Sequence, residues 1–103
     1  MRFLVKATIP TVAGNAAIRE GKLGPKIQAV LAELKPEAAY LMEEGGHRTA
    51  LLVVNVQDAS EIPRFAEPFF LGMNAEVRFH PVMTAEDLGR AGLDQLAQKW
   101  GSD

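Results

Sequence analysis

The sequence contains no cysteine. That excludes disulfide cross-links, thiolate nucleophiles and cysteine-ligated metal centres. Histidine is nearly as scarce. The two present, His47 and His80, fall in no HxH or HExxH pattern, so no metal site is expected. Basic residues are not in excess: 11 Lys and Arg stand against 13 Asp and Glu, for a formal net charge of −2. Proteins that grip a phosphate backbone carry a basic patch, so nucleic acid is not an expected partner. No stretch reaches the 18 or more apolar residues of a membrane span, and no membrane partner is expected. The opening MRFLVKATIP is too short and too mixed for a secretory leader, with Lys6 interrupting it. The expected location is cytoplasmic. No G-x-G-x-x-G fingerprint, Walker loop or nucleophile elbow is present, and no cofactor is expected.

What remains is an ordinary globular composition. Hydrophobic residues make up 48% and charged residues 23% of 103 positions. That suffices for one core and one domain spanning residues 1–103. Arg2–Ile9 alternates and is rich in strand formers, so it predicts a first strand, ended by Pro10. Thr11–Gly14 reads as a loop, and Asn15 as the N-cap of a short helical segment, Ala16–Glu20. Pro25 suits the first turn of a second segment. There Ile27, Val30, Leu31 and Leu34 recur at helical spacing before Pro36. Whether residues 15–35 form one kinked helix or two is left open by the pattern. Ala38–Glu43 and Arg48–Val56 read as a hairpin joined through Gly45-Gly46.

Asp58 and Glu61 have capping-box spacing and open a helix near Ala59, with Ile62, Phe65, Ala66 and Phe69 as its apolar stripe. Pro68 is expected to kink or end it. Ala75–His80 reads as a fourth strand ended by Pro81. Thr84 and Asp87 open a C-terminal helix over about residues 85–100, with Leu88, Leu93, Leu96 and Trp100 as its apolar positions. Trp100 is expected to pin that helix to its own domain or to a partner's. The order is βαββαβ plus a helix: an α+β, ferredoxin-like fold with a four-stranded antiparallel sheet.

Such a sheet has two faces, and its main helices cover one. Alternation assigns Phe3, Val5, Ala7 and Ile9, with Ala50, Leu52, Val54, Val56, Val77 and Phe79, to the covered face. The other face receives Arg2, Leu4, Lys6, Thr8, Thr49, Leu51, Val53, Asn55, Glu76, Arg78 and His80. Tyr40 and Met42 suit it too. With Phe3 and Phe79 covered, the central strands offer no exposed rings for stacking bases. An open sheet with that much apolar surface marks an interface or a ligand groove. Two such sheets face to face would make a barrel-like homodimer, with apolar residues sealing it and polar ones lining a pocket.

His80 is the candidate general acid or base. Lys6, Arg78 and Arg2 are candidates for a cationic lining that holds a carboxylate or enolate, with pairing to Glu76 or Glu43 as the structural alternative. Tyr40 and Asn55 are candidates for orienting a polar ligand. His47 is expected to be exposed in its turn.

The opening Met1-Arg2-Phe3-Leu4-Val5-Lys6, the Gly46-His47 hairpin, the Val56–Ala59 strand-to-helix step and the final His80-Pro81 resemble the dimeric α+β barrel superfamily. More narrowly, they resemble muconolactone isomerase-like proteins. The resemblance implies a homodimer or higher assembly and a ligand-binding barrel. Relatives of this architecture include isomerases, monooxygenases, ligand-binding modules and proteins without known activity. Two functions are therefore expected as alternatives. One is a proton-transfer enzyme acting on a small carboxylated or carbonyl substrate. The other is a non-catalytic ligand-binding or structural homodimer.

Overall fold

The computed structural model describes residues 1–102. Four strands, β1 (Arg2–Ile9), β2 (Ala38–Glu44), β3 (His47–Asn55) and β4 (Glu76–Pro81), form one antiparallel sheet in the order β2-β3-β1-β4. The helices are α1 (Thr11–Arg19), α2 (Leu23–Leu34), α3 (Ile62–Met73), α4 (Ala85–Gly89) and α5 (Leu93–Trp100), with a single 3-10 turn, Ala59–Glu61, leading into α3. This is the α+β, ferredoxin-like arrangement that the βαββαβ order predicts.

The covered face of the sheet holds the core. Val5, Ala7 and Ile9 of β1 and Ala50, Leu52 and Val54 of β3 are buried against Leu23, Leu34, Phe65, Phe69 and Met73. Phe3 and Phe79 pack edge to face at the margin, 6.0 Å between ring centres. Each of the large fully buried side chains, Phe69, Leu52 and Val5, contributes roughly 1.5–3 kcal/mol.

Three expectations need correction, and two readings left open are resolved. Thr11–Gly14 is helix, not loop: α1 begins directly after Pro10. It can start so close because Gly14 lies against the sheet, where a Cβ would sit 2.7 Å from Arg48 Nη1. Asn15 is not an N-cap; its Oδ1 accepts a hydrogen bond from Arg48 Nη2 at 3.0 Å. Residues 15–35 are two helices, separated where Gly21 takes a left-handed φ of 69°.

Of the two outcomes expected of Pro68, a kink or an end, the end does not occur: α3 continues to Met73. An interior proline costs about 3 kcal/mol through a lost hydrogen bond and a clash. Phe65 and Ala66 on one side of it and Phe69 and Met73 on the other are all buried, and their burial outweighs that cost. The C-terminal helix is also not continuous. Gly92, at φ 74°, divides it into α4 and α5.

The tight turns follow the local chemistry. Gly45 and Gly46 both have positive φ, 58° and 82°, as a two-residue hairpin matched to the right-handed twist of its strands requires. Both capping boxes are present. The Ser60 N–H donates to Asp58 Oδ1 at 2.9 Å, and the Asp87 N–H donates to Thr84 Oγ1 at 3.1 Å.

Replacing Leu52, which is 1% exposed, with alanine is expected to cost about 2–5 kcal/mol by denaturant melting. Leu31→Ala should cost less, because Leu31 is only partly buried at the edge of the core. A second expectation concerns acid. The Ser60 backbone N–H, then its hydroxyl, holds the Asp58 carboxyl below the ordinary 3.8. The Thr84 backbone N–H, then its hydroxyl, does the same for Asp87, with Arg90 and Arg2 adding smaller pulls. A carboxylate with a lowered folded pKa stabilises fully above its unfolded value, and the gain is lost as pH falls through the folded value. Stability should therefore decline below pH about 4. The Asp58→Asn and Asp87→Asn variants should show a shallower decline in thermal melts across that range.

Candidate functional site

The strand register arranges the open face as rows running across the sheet. Tyr40, Leu51, Lys6 and Arg78 stand opposite one another in one row, from β2 to β4. The adjacent row is Ala38, Val53, Leu4 and His80. On the other side lie Met42, Thr49, Thr8 and Glu76. Asn55 and Arg2 pair at the sheet end from which the C-terminal helices leave. Leu4, Leu51, Val53 and Met42 are half-buried, while Tyr40, Asn55, Arg78 and His80 are exposed.

The three expected cations fare differently. Lys6 and Arg78 are directly opposed on β1 and β4, and like charges in that relation repel. Lys6 is drawn the other way. Its ammonium lies 2.8 Å from Glu44 Oε2, rather than near Glu76 or Glu43. Because β2 runs to Glu44, the alternation that puts Tyr40 and Met42 on the open face puts Glu44 there as well. Lys6 is anchored opposite Leu51 and Glu44 opposite His47, so their bridge spans β3 at the level of Thr49. That roof accounts for Thr49 being only 2% exposed on an otherwise open face. Arg2 is neutralised at the sheet end, with its Nε 2.9 Å from Glu37 Oε1. Among the described residues, Arg78 makes no ion pair.

The sheet thus brings together Lys6, Arg78 and His80, with His80 two positions beyond Arg78 on the same face of β4 and opposite Leu4. It does not bring the other candidates to them. Tyr40 stands on the far edge strand, three strand spacings from Arg78, or roughly 14 Å. Asn55 sits beside Arg2, and its Oδ1 accepts a hydrogen bond from the Met1 amino group at 3.1 Å. Arg2 and Asn55 belong instead to an open cleft of about 670 Å³ at the sheet end, shared with Met1, Val82, Met83 and Asp87. His47 is exposed at the start of β3, with Nδ1 3.1 Å from the Gly45 carbonyl.

Sequence reasoning missed Glu44. The signal was the Tyr40-x-Met42 alternation, which needed only one more step along the strand. It also missed Arg48, whose guanidinium lies under α1 against Gly14. Among the described residues, no buried side-chain nitrogen or oxygen lacks a partner, and no three His, Asp or Glu side chains cluster as metal ligands do. No helix among them is long and apolar enough to cross a membrane. The candidate chemistry therefore lies on the open face, where an arginine, a histidine and a screened lysine stand over an apolar floor.

The Lys6–Glu44 bridge is partly exposed at both ends, so a double-mutant cycle with Lys6→Met and Glu44→Gln should give a coupling below about 1 kcal/mol. A larger coupling would mark the pair as a structural clamp on the sheet.

No protein-family model matches the chain, and no curated protein matches it in sequence.

Proposed function

We propose that the chain works as a homodimer whose open sheet faces enclose a pocket for a small carboxylated or carbonyl ligand. The observation that carries this reading is Arg78: an exposed guanidinium without an acidic partner among the described residues, in line with Leu51 and beside the row of Val53 and Leu4. A guanidinium offers paired donors that match a carboxylate. Pairing two sheets would bury Leu4, Leu51 and Val53 and lower the dielectric around that contact, which strengthens it.

Within such a pocket His80 is the group able to move a proton. As a neutral imidazole it would take a proton from the carbon next to the ligand's carbonyl. The resulting negative charge would rest on the enolate oxygen, held by Arg78, and the same proton would return to another carbon. That is an isomerisation without a cofactor, and it agrees with the resemblance to muconolactone isomerase-like proteins. One observation favours a binding module without catalysis. Among the described residues no carboxylate or carbonyl bonds to His80, whereas a catalytic imidazole is usually oriented by such a group.

Calorimetric titration with mono-, di- and aromatic carboxylates tests the reading. Binding is expected, and Arg78→Ala should weaken it by about 1.5–3 kcal/mol, the range for a hydrogen bond to a charged group. His80→Ala should keep most of the affinity but abolish exchange of ligand carbon-bound protons with deuterated solvent, followed by NMR. Carboxylates that bind the Arg78→Ala variant as well as the parent would place the site elsewhere. Binding without any proton exchange in the parent would leave the non-catalytic form of the proposal.

A further inference from the structure

Beyond β4 the chain leaves the body of the molecule. The Val82 N–H still donates to the Arg2 carbonyl at 3.1 Å, extending the ladder by one residue. The Thr84 capping box and the Arg90–Asp87 ion pair then start and brace α4. From there neither α4 nor α5 packs appreciably against the sheet or against α1–α3, and neither contains a buried residue. The protein is accordingly elongated, 59 × 28 × 20 Å with a radius of gyration of 17.5 Å, where a compact chain of this length has roughly 13 Å.

This arm is not polar, as a free tail would be. Leu93, Leu96 and Trp100 recur at i, i+3 and i+7 and form one face of α5, with Asp94, Gln95, Gln98 and Lys99 on the other. Leu88 continues the apolar face onto α4. Exposure of these four residues is 43% for Leu88, 53% for Leu93, 47% for Leu96 and 73% for Trp100. An eight-residue helix is too short to hold its shape in water alone; isolated helices below about 12–15 residues are marginal. The stripe needs a cover, and the arm's own root directs it away from its own sheet.

We propose that this arm reaches over a second copy of the chain and that its Leu88–Leu93–Leu96–Trp100 stripe closes the pocket between the two sheets. The inference rests on the proposed pairing of sheets and adds the part that completes it. Among the described residues the arm's stripe is exposed and the open sheet face is only half covered, and the two do not meet within one copy. Between two copies they do, reciprocally, as a two-fold dimer requires. The area fits as well. The exposed parts of the four side chains amount to roughly 400 Å² per arm, taking a large aromatic at 150–250 Å². Two arms and the surfaces they cover then give roughly 1,600 Å², the size of a standard stable interface. The arm departs from the strand end that bears His80, so it brings apolar cover to the end of the pocket where the candidate chemistry lies.

Trp100 is the only tryptophan and reports the arm directly. Sedimentation velocity and Trp100 emission, with acrylamide quenching, would be followed together on the full chain across a dilution series. The expected result is a dimer with blue-shifted, quench-protected emission, turning red-shifted and accessible as dilution yields monomers. Leu96→Asp should raise the dissociation constant at least tenfold and expose Trp100. Leu51→Asp, an unpaired charge on the sheet face, should give monomers whose Trp100 is exposed. A dimer with solvent-exposed Trp100 would overturn the arm's role and leave the pairing of sheets standing. A monomer with protected Trp100 would show the arm folding onto its own sheet and overturn both. A monomer with exposed Trp100 would also overturn both.

Discussion

Side chains on a strand point alternately to two faces, and among the described residues helices cover only one of them. Nearly everything else in the structure follows from that imbalance. The covered face is apolar at almost every position, which is why α3 tolerates Pro68 and why α1 needs Gly14 to lie close to Arg48 and Ile9. The open face keeps Leu4, Leu51 and Val53 beside Lys6, Arg78 and His80. A surface meant only for water would not carry those three aliphatic residues in adjacent rows. A surface meant only for packing would not carry the charges.

The charges on that face are ordered by position. Lys6 and Arg78 cannot both remain free at opposed positions of neighbouring strands without repulsion. Glu44 resolves the conflict for Lys6 alone, by a 2.8 Å contact across β3. Arg2 is neutralised by Glu37 at the sheet end. One arginine of the three expected cations is left without a partner among the described residues, next to the histidine. The neutralised cations are held, and the free one is available to an external anion. This division of roles decides which residue an anionic ligand would meet first.

The parts of this fold legible in the sequence are those fixed by local rules. Alternation in β1 and β3 named the buried set, Val5, Ala7, Ile9, Ala50, Leu52 and Val54. The Asp58–Glu61 and Thr84–Asp87 spacings marked two helix starts. The misreadings occurred where contacts distant in sequence outweigh local preference. Asn15 resembles an N-cap until Arg48, far along the chain, takes its side chain. Pro68 leaves a kink and a stop both open until the sheet beneath α3 is present, and α3 then runs on to Met73. Of the candidate site, the shared face of Lys6, Arg78 and His80 was readable from period alone. The separation of Tyr40, Arg2 and Asn55 from them was not, because only the register between strands sets it.

The C-terminal arm extends the same reasoning one level up. Its helices are specified locally, by a capping box, by Gly92 and by a stripe at helical spacing, yet nothing among the described residues covers them. Local signals can start a helix of this length but cannot hold it, since most helical stability in proteins comes from packing an apolar face. The arm and the open sheet therefore present the same problem from two sides: apolar surface patterned for contact and left uncovered in one copy. A ligand alone is too small to cover the sheet, and the arm is too far from its own sheet to do so. In the proposed pairing a second copy would supply both missing surfaces at once and would place an apolar wall beside Arg78 and His80, where a charged contact gains most from losing its water.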